Sequence, residues 1–106
     1  MKGFKLAAAV AFMSGIAVAY AAERTVGQKG KVFSEKEVTL KKGDTIVFVN
    51  DDNIAHNVMS TSAASKFNLG LIQPGHSTPV TFKNSGEVQV ICAIHPTMKM
   101  TVKVAD

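Results

Sequence analysis

The sequence has little of what several functional classes require. Its 106 residues include one cysteine, one tyrosine and no tryptophan. A single cysteine cannot form an internal disulfide, so the chain is not a disulfide-stapled domain. The lysines are scattered and form no basic block with interleaved aromatic residues, which argues against nucleic-acid binding. No repeat, low-complexity stretch or linker divides residues 22–106, and this indicates a single domain.

The longest apolar run lies near the amino terminus and is too short for a membrane anchor. Met1–Lys5 is basic, residues 6–19 are almost wholly apolar, and Ala19 and Ala21 place small residues at the −3 and −1 positions of a cleavage site. A membrane-spanning helix needs about 20 apolar residues. The pattern predicts a secretory signal peptide at residues 1–21. Cleavage leaves the domain at residues 22–106, with ten Lys and Arg against eight Asp and Glu, a net charge of +2.

The rest of the chain has the pattern of an all-β sandwich of about seven or eight strands. Short segments rich in Val, Thr, Ile and Phe alternate with Gly, Pro, Asn and Ser. Residues 61–74 are the least regular part, and we expect a turn of helix at residues 62–66. The predicted strands are residues 24–28, 31–34, 37–41, 45–49, 56–60, 77–82, 87–92 and 100–105.

The single cysteine lies among other side chains that bind metals. Cys92 is followed by His95, Met98 and Met100, and His56 lies 36 residues before it. Two histidines, a cysteine and a weak methionine are the ligand set of a blue-copper electron-transfer site. Either segment alone would be weak evidence, because an isolated buried cysteine is more often a small core residue. Together the segments predict one copper ion held by both histidines and Cys92, with one of the two methionines as a weak axial ligand.

Two further residues near these segments have predicted roles. Asn57 directly follows His56, and we expect its hydrogen bonds to tie that segment to the Cys92 loop. His76 follows Pro74 and Gly75 in a turn, so we expect it to be exposed and not to bind the metal.

These segments resemble the cupredoxins, and within them the plastocyanin and amicyanin group. The resemblance rests on residues 38–44, 49–58, 74–75 and 92–98 together with Gly86, and it extends from residue 32 to 104. It implies a Greek-key β-sandwich with one type 1 copper ion, Cu(I) or Cu(II). It also implies one-electron transfer between redox proteins in the periplasm. For such a diffusing carrier we expect a monomer that is not an enzyme and has no membrane anchor after signal cleavage.

The resemblance also assigns roles within the two ligand segments. In that family the loop histidine, here His95, emerges through an apolar patch through which electrons leave. The patch residues in this chain would be Ile54, Ala55 and Pro96.

The resemblance favours Met98 over Met100 as the axial ligand. Amicyanin places the methionine three residues after the histidine and plastocyanin five, which from His95 leads to Met98 and Met100 respectively. In both relatives the methionine lies four and six residues before inward-facing valines. Met98 has this relation to Val102 and Val104.

Other functions are compatible with parts of the pattern. A periplasmic copper carrier or copper-tolerance protein would use the same ligands, but such proteins often carry additional Met- or His-rich runs, which this chain lacks. An enzyme could use Cys92 as a nucleophile with a histidine base, yet no oxyanion-hole motif is recognisable. A metal-free binding sandwich would leave the ligand set unexplained.

Overall fold

Nine β-strands in two sheets make up the computed structural model, which describes residues 21–106. This part of the chain contains no helix, and therefore none long and apolar enough to cross a membrane. The predicted signal peptide lies outside the described residues up to residue 20, so cleavage after Ala21 stays a prediction. The strands are β1 Glu23–Lys29, β2 Val32–Phe33, β3 Glu37–Lys41, β4 Thr45–Asn50, β5 His56–Ser60, β6 Phe67–Ile72, β7 Ser77–Thr81, β8 Gly86–Ile91 and β9 Lys99–Ala105.

The chain crosses repeatedly between the two sheets. One sheet has the strand order β2-β1-β4-β7 and the other β3-β9-β8-β5-β6. β1 runs parallel to β4 and β3 runs parallel to β9, while the other neighbours are antiparallel. Parallel neighbours cannot be joined by a hairpin, so each pair requires a crossover. The predicted all-β Greek-key sandwich is confirmed.

The core lies between the sheets and follows from alternation along each strand. In β9, Met100, Val102 and Val104 are buried, whereas Lys103 is exposed and Thr101 only partly buried. Successive side chains of a strand point to opposite faces of the sheet, so one residue in two faces inward. β4 has the same alternation, with Ile46 and Phe48 fully buried. The inward residues of both sheets form one apolar cluster, which includes Cys92 and Met98.

One part of the predicted fold is wrong. Residues 61–66 form a short turn and no helix, and Phe67–Ile72 is a strand that pairs antiparallel with β5. β6 is an edge strand with only one fully buried residue, Ile72. Gly70 within it has φ of 70°, a left-handed conformation that breaks regular alternation. All eight strands that the sequence predicts are present, and their ends agree with the structure to within one residue.

Asn50 closes the loop that leads into β5. Its side chain is fully buried at the end of β4, and its Nδ2 donates to the carbonyl oxygens of Ile54 and Ile72, both at 2.8 Å. Its Oδ1 accepts a hydrogen bond from the backbone N–H of Asp52 at 2.8 Å. Buried polar groups are costly unless paired, and these bonds pair the amide fully in a defined orientation. Asn50 thereby fixes the path of residues 51–55 up to His56.

Candidate metal centre

Three predicted ligands meet at one end of the sandwich. His56 begins β5, Cys92 directly follows β8, and His95 lies in the loop between β8 and β9. One ligand atom from each lies within 4.8 Å of the other two. His56 and Cys92 are fully buried, and His95 is half-buried. The Sγ of Cys92 lies 3.7 Å from Nδ1 of His95, so the donors converge on one small volume.

The hydrogen bonding of His56 fits a metal ligand. Its Nε2 lies 3.0 Å from Oδ2 of Asp52, whereas its buried Nδ1 has no hydrogen-bond partner among the described residues. A buried polar atom without a partner costs about 1–3 kcal/mol. With the proton on Nε2 and donated to the carboxylate, Nδ1 keeps a lone pair that is available to a metal ion. Metal-binding histidines commonly donate their other N–H to a carboxylate in this way.

Asp52 is a functional residue that the sequence reasoning missed. The hydrogen bond from His56 is the main cause that holds the pKa of Asp52 below its usual value, with smaller contributions from the backbone N–H groups of Asn53 and Gly30. The Asn53 N–H donates to Oδ1 at 2.9 Å and the Gly30 N–H to Oδ2 at 3.0 Å. Asp52 therefore places an ionised carboxylate directly behind the metal-facing imidazole.

Asn57 joins the two ligand segments, as predicted. Its backbone N–H donates to Sγ of Cys92 at 3.3 Å, and its side-chain Oδ1 accepts from the N–H of Ala93 at 3.0 Å. Its Nδ2 donates to Asn68 Oδ1 at 2.9 Å and to the carbonyl of Gly70 at 2.8 Å. An N–H aimed at the sulfur favours the thiolate, the form of cysteine that binds metals.

Gln28 supports this arrangement from the opposite sheet. It is fully buried in β1, and its Nε2 donates to the backbone carbonyl of Asn57 at 3.3 Å. The sequence reasoning missed this role, although a signal was present. Val26 and Gln28 share the inward face of a predicted strand, and a polar residue in that position needs a buried partner.

Met98 and Met100 are both buried, so burial does not distinguish them. Their register does. The β8–β9 ladder pairs Ile91 with Lys99 and Val90 with Met100. Continued by one residue it places Met98 opposite Cys92, and the Cys92 N–H donates to the Met98 carbonyl at 3.3 Å. Directly opposite residues of antiparallel strands have Cβ atoms about 4.5–5.5 Å apart. The register therefore places Met98, and not Met100, directly opposite Cys92.

His76 lies apart from these residues. It is exposed next to the turn between β6 and β7, where its N–H donates to the carbonyl of Gln73 and its own carbonyl accepts from the Asn50 N–H. It is not part of the metal-type cluster found in residues 21–106.

Comparison with known proteins identifies the family. A family model described as copper binding proteins of the plastocyanin/azurin family matches residues 20–105. The chain belongs to this family. Copper is accordingly its cofactor, in agreement with the donor set, and the predicted resemblance is confirmed.

The individual proteins to which this chain is similar share between 22% and 39% sequence identity with it. The methylamine utilization protein MauL of Methylorubrum extorquens is 39% identical over 66 residues, which cover 61% of this chain but only 58% of MauL. A purple cupredoxin from Nitrosopumilus maritimus has 22% identity and a TM-score of 0.69, covering 77% of this chain and 99% of that one. A mutant of amicyanin in its reduced form has 24% identity and a TM-score of 0.72, covering 82% and 85%. These two structures share the fold.

A fourth relative is a larger protein, of which this chain matches only a part. The copper-containing nitrite reductase of Thermus scotoductus has 26% identity and a TM-score of 0.75. The match covers 87% of this chain and 24% of the reductase. The same sandwich thus also occurs as a part of an enzyme.

Replacing Asp52 by Asn should raise the reduction potential of the copper-loaded protein. The change removes a negative charge behind His56 but keeps a hydrogen-bond acceptor, so the lower-charged Cu(I) state becomes relatively more favourable. Redox titration of the visible absorption measures the effect. The control is Asp51→Asn, which removes the same charge from an exposed neighbour. Equal shifts for the two variants would contradict a specific role for Asp52.

Proposed function

We propose that this protein is a type 1 copper protein that carries one electron at a time between redox proteins in the periplasm. His56, Cys92 and His95 supply the strong ligands and Met98 the weak axial one. The observation that carries the proposal is the convergence of two histidines and a cysteine within 4.8 Å in a domain of the plastocyanin/azurin family. Bound copper supplies a one-electron couple between Cu(I) and Cu(II).

The contribution of the protein is to hold the ligand atoms still. Electron transfer is fast when the surroundings of the metal change little between oxidation states. His56 is fixed by Asp52 on one side and by its place at the start of β5 on the other. Cys92 is fixed by the end of β8 and by the N–H of Asn57. Side chains locked by such surrounding hydrogen bonds keep a site preorganised.

His95 is the proposed exit for electrons. It is the only one of the three strong ligands that is not fully buried. Ile54, in the loop before His56, is 40% exposed, and Ile94, next to His95, is 49% exposed. Pro96 is also exposed, whereas Ala55 is half-buried. Apolar side chains of this kind suit brief docking of a partner, and a monomeric carrier needs such a surface free.

A copper-handling role is less well supported by the site. A carrier that hands over its metal needs accessible ligands that can leave one at a time. Here His56 and Cys92 are fully buried, and each has hydrogen bonds that hold it in place. Met59, another methionine in the described residues, lies half-buried within β5. Retention of copper with exchange of electrons fits this arrangement better.

Cys92→Ser should abolish the intense visible band of the Cu(II) protein. A serine hydroxyl cannot supply the thiolate-to-copper charge transfer, but it is nearly isosteric and should leave the β-sandwich folded. Absorption and circular dichroism spectra measure the two properties. The control is His76→Ala, which removes an exposed histidine and should leave the band unchanged. A band of undiminished intensity in Cys92→Ser would refute the assignment.

Met98→Gln should retain copper, lower its reduction potential and alter the visible spectrum. An axial thioether is a weak ligand that tunes the potential more than it holds the metal. Met100→Leu is the matched variant, since it exchanges one buried methionine for an apolar residue of similar volume and should leave both properties nearly unchanged. The opposite result would transfer the axial role to Met100.

Ile54→Lys should slow electron exchange with redox proteins several-fold while leaving the spectrum intact. The new charge lies in the proposed docking surface but does not touch a ligand. Val32→Lys is the matched control, because Val32 is 58% exposed in β2 and the change adds the same charge. Stopped-flow kinetics with several redox proteins measure the rates. Unchanged rates for Ile54→Lys, or an equal loss for Val32→Lys, would count against this docking surface.

A further inference from the structure

Asp44 is a nearly buried carboxylate that forms no direct ion pair with a cationic side chain within the described residues. It lies between β3 and β4 and is 8% exposed. Its Oδ2 accepts the backbone N–H of Lys41 at 2.9 Å, and its Oδ1 accepts the backbone N–H of Ala22 at 2.8 Å. The ion pairs of residues 21–106 involve other acidic residues, namely Asp106, Asp52 and Glu37. Buried charges are ordinarily paired, so the charge of Asp44 needs an explanation.

Both backbone polar groups of Ala22 form hydrogen bonds that hold the residue in place. Its nitrogen contacts Asp44, and its carbonyl oxygen accepts the N–H of Thr45 at 3.0 Å. The next residue, Glu23, begins β1 and is in register with Thr45 of β4. The position of the Ala22 nitrogen is therefore set by the sheet. This nitrogen also belongs to the peptide bond at which the sequence predicts removal of the signal peptide.

We propose that Asp44 is the binding site for the amino terminus that hydrolysis of the Ala21–Ala22 bond produces. An export-associated endopeptidase would add one water across the bond, leaving a carboxylate on Ala21 and an amine on Ala22. The amine takes up a proton at neutral pH. The single N–H that Ala22 donates to Oδ1 would then be replaced by an ammonium group at the same position. This proposal rests on the predicted cleavage and is independent of copper binding.

The surroundings of Asp44 favour such an ion pair. The backbone N–H groups of Lys41 and Ala22 are the main causes that hold the pKa of Asp44 below its usual value, and the charges of Lys41 and Arg24 add to them. The carboxylate is therefore ionised at neutral pH. A hydrogen bond between charged groups is roughly twice as strong as one between neutral groups. Conversion of the Ala22 amide into an ammonium thus strengthens a contact that already exists.

The proposal also explains why one cleavage position suits the fold. Consecutive residues of an extended chain are about 3.3–3.6 Å apart. Cleavage one residue earlier would leave the neutral Ala22 N–H on Asp44 and place the ammonium beyond direct contact. Cleavage one residue later would remove the donor altogether. Only a mature chain that begins at Ala22 places the charge on Oδ1.

The test uses the full chain, exported by a bacterial host and purified after processing. Insertion of one glycine between Ala21 and Ala22 keeps the Ala22 N–H but moves the ammonium away. Asp44→Asn keeps an acceptor but removes the carboxylate charge. The intact mass establishes each mature amino terminus, and urea unfolding of the copper-free and copper-loaded forms gives the folding equilibrium constant.

The glycine insertion should lower the folding equilibrium constant by about fivefold in the parent protein, because a neutral hydrogen bond of roughly half the strength replaces the charged one. In the Asp44→Asn background it should have no further effect. Glu23→Gln is the matched control, because it removes an exposed carboxylate from the same end of β1 and should leave the effect of the insertion unchanged.

Three results would overturn the proposal. The first is a mature parent protein that does not begin at Ala22. The second is a glycine insertion that leaves the folding equilibrium constant of the parent unchanged. The third is an insertion that lowers this constant equally in the Asp44→Asn background. Since the copper-free form is measured as well, the outcome does not depend on the assignment of the metal ligands.

Discussion

The structure of the metal centre depends on Asn57, which joins two strands beyond the end of their ladder. β5 and β8 carry or adjoin His56 and Cys92, yet their ladder consists of the single pair Met59 and Ile91. On its other side, β5 shifts register against β6 between Asn57 and Met59. The β5–β8 ladder therefore does not extend to His56 and Cys92. Two hydrogen bonds of Asn57 take the place of further ladder bonds. Its backbone N–H donates to the Cys92 sulfur, and its side-chain Oδ1 accepts the N–H of Ala93. These bonds hold the two ligand segments together beyond the end of the ladder.

The need to hold the ligand segments in place also accounts for the polar residues buried around the metal centre. Gln28, Asn50 and Asn57 are inaccessible or nearly so, and each bonds to the backbone of a segment that carries or borders a ligand. Apolar side chains would bury more favourably, but they would not fix the direction of a loop. Directional hydrogen bonds specify one geometry where apolar packing permits several. The domain thus uses buried polarity at the metal end and apolar packing between the sheets.

The sequence predicts those strands and ligands that are determined by neighbouring residues along the chain. Short segments rich in Val, Thr, Ile and Phe, bounded by turn residues, identify eight of the strands. Ligand chemistry identifies His56, Cys92 and His95 as a group that the structure brings together. β6 escapes because an edge strand with an exposed face needs no regular apolar pattern. Asp52 escapes because the loop contains two adjacent aspartates, and only the path fixed by Asn50 decides which of them faces His56.

β4 connects the Asp44 site to the end of the domain where the metal ligands lie. Asp44 lies just before it and Asn50 at its end, so the strand separates them by about 20 Å at a rise of 3.3 Å per residue. Effects at sites so far apart usually add. A domain of this size buries only about 60–65% of its unfolded surface and has little stability to spare. Copper binding stabilises the end where β4 leads into the ligand loop, and it does so only when copper is present. The contact between Ala22 and Asp44 holds the other end of the strand in either state, so the scaffold does not rely on the metal to keep β1 and β4 paired.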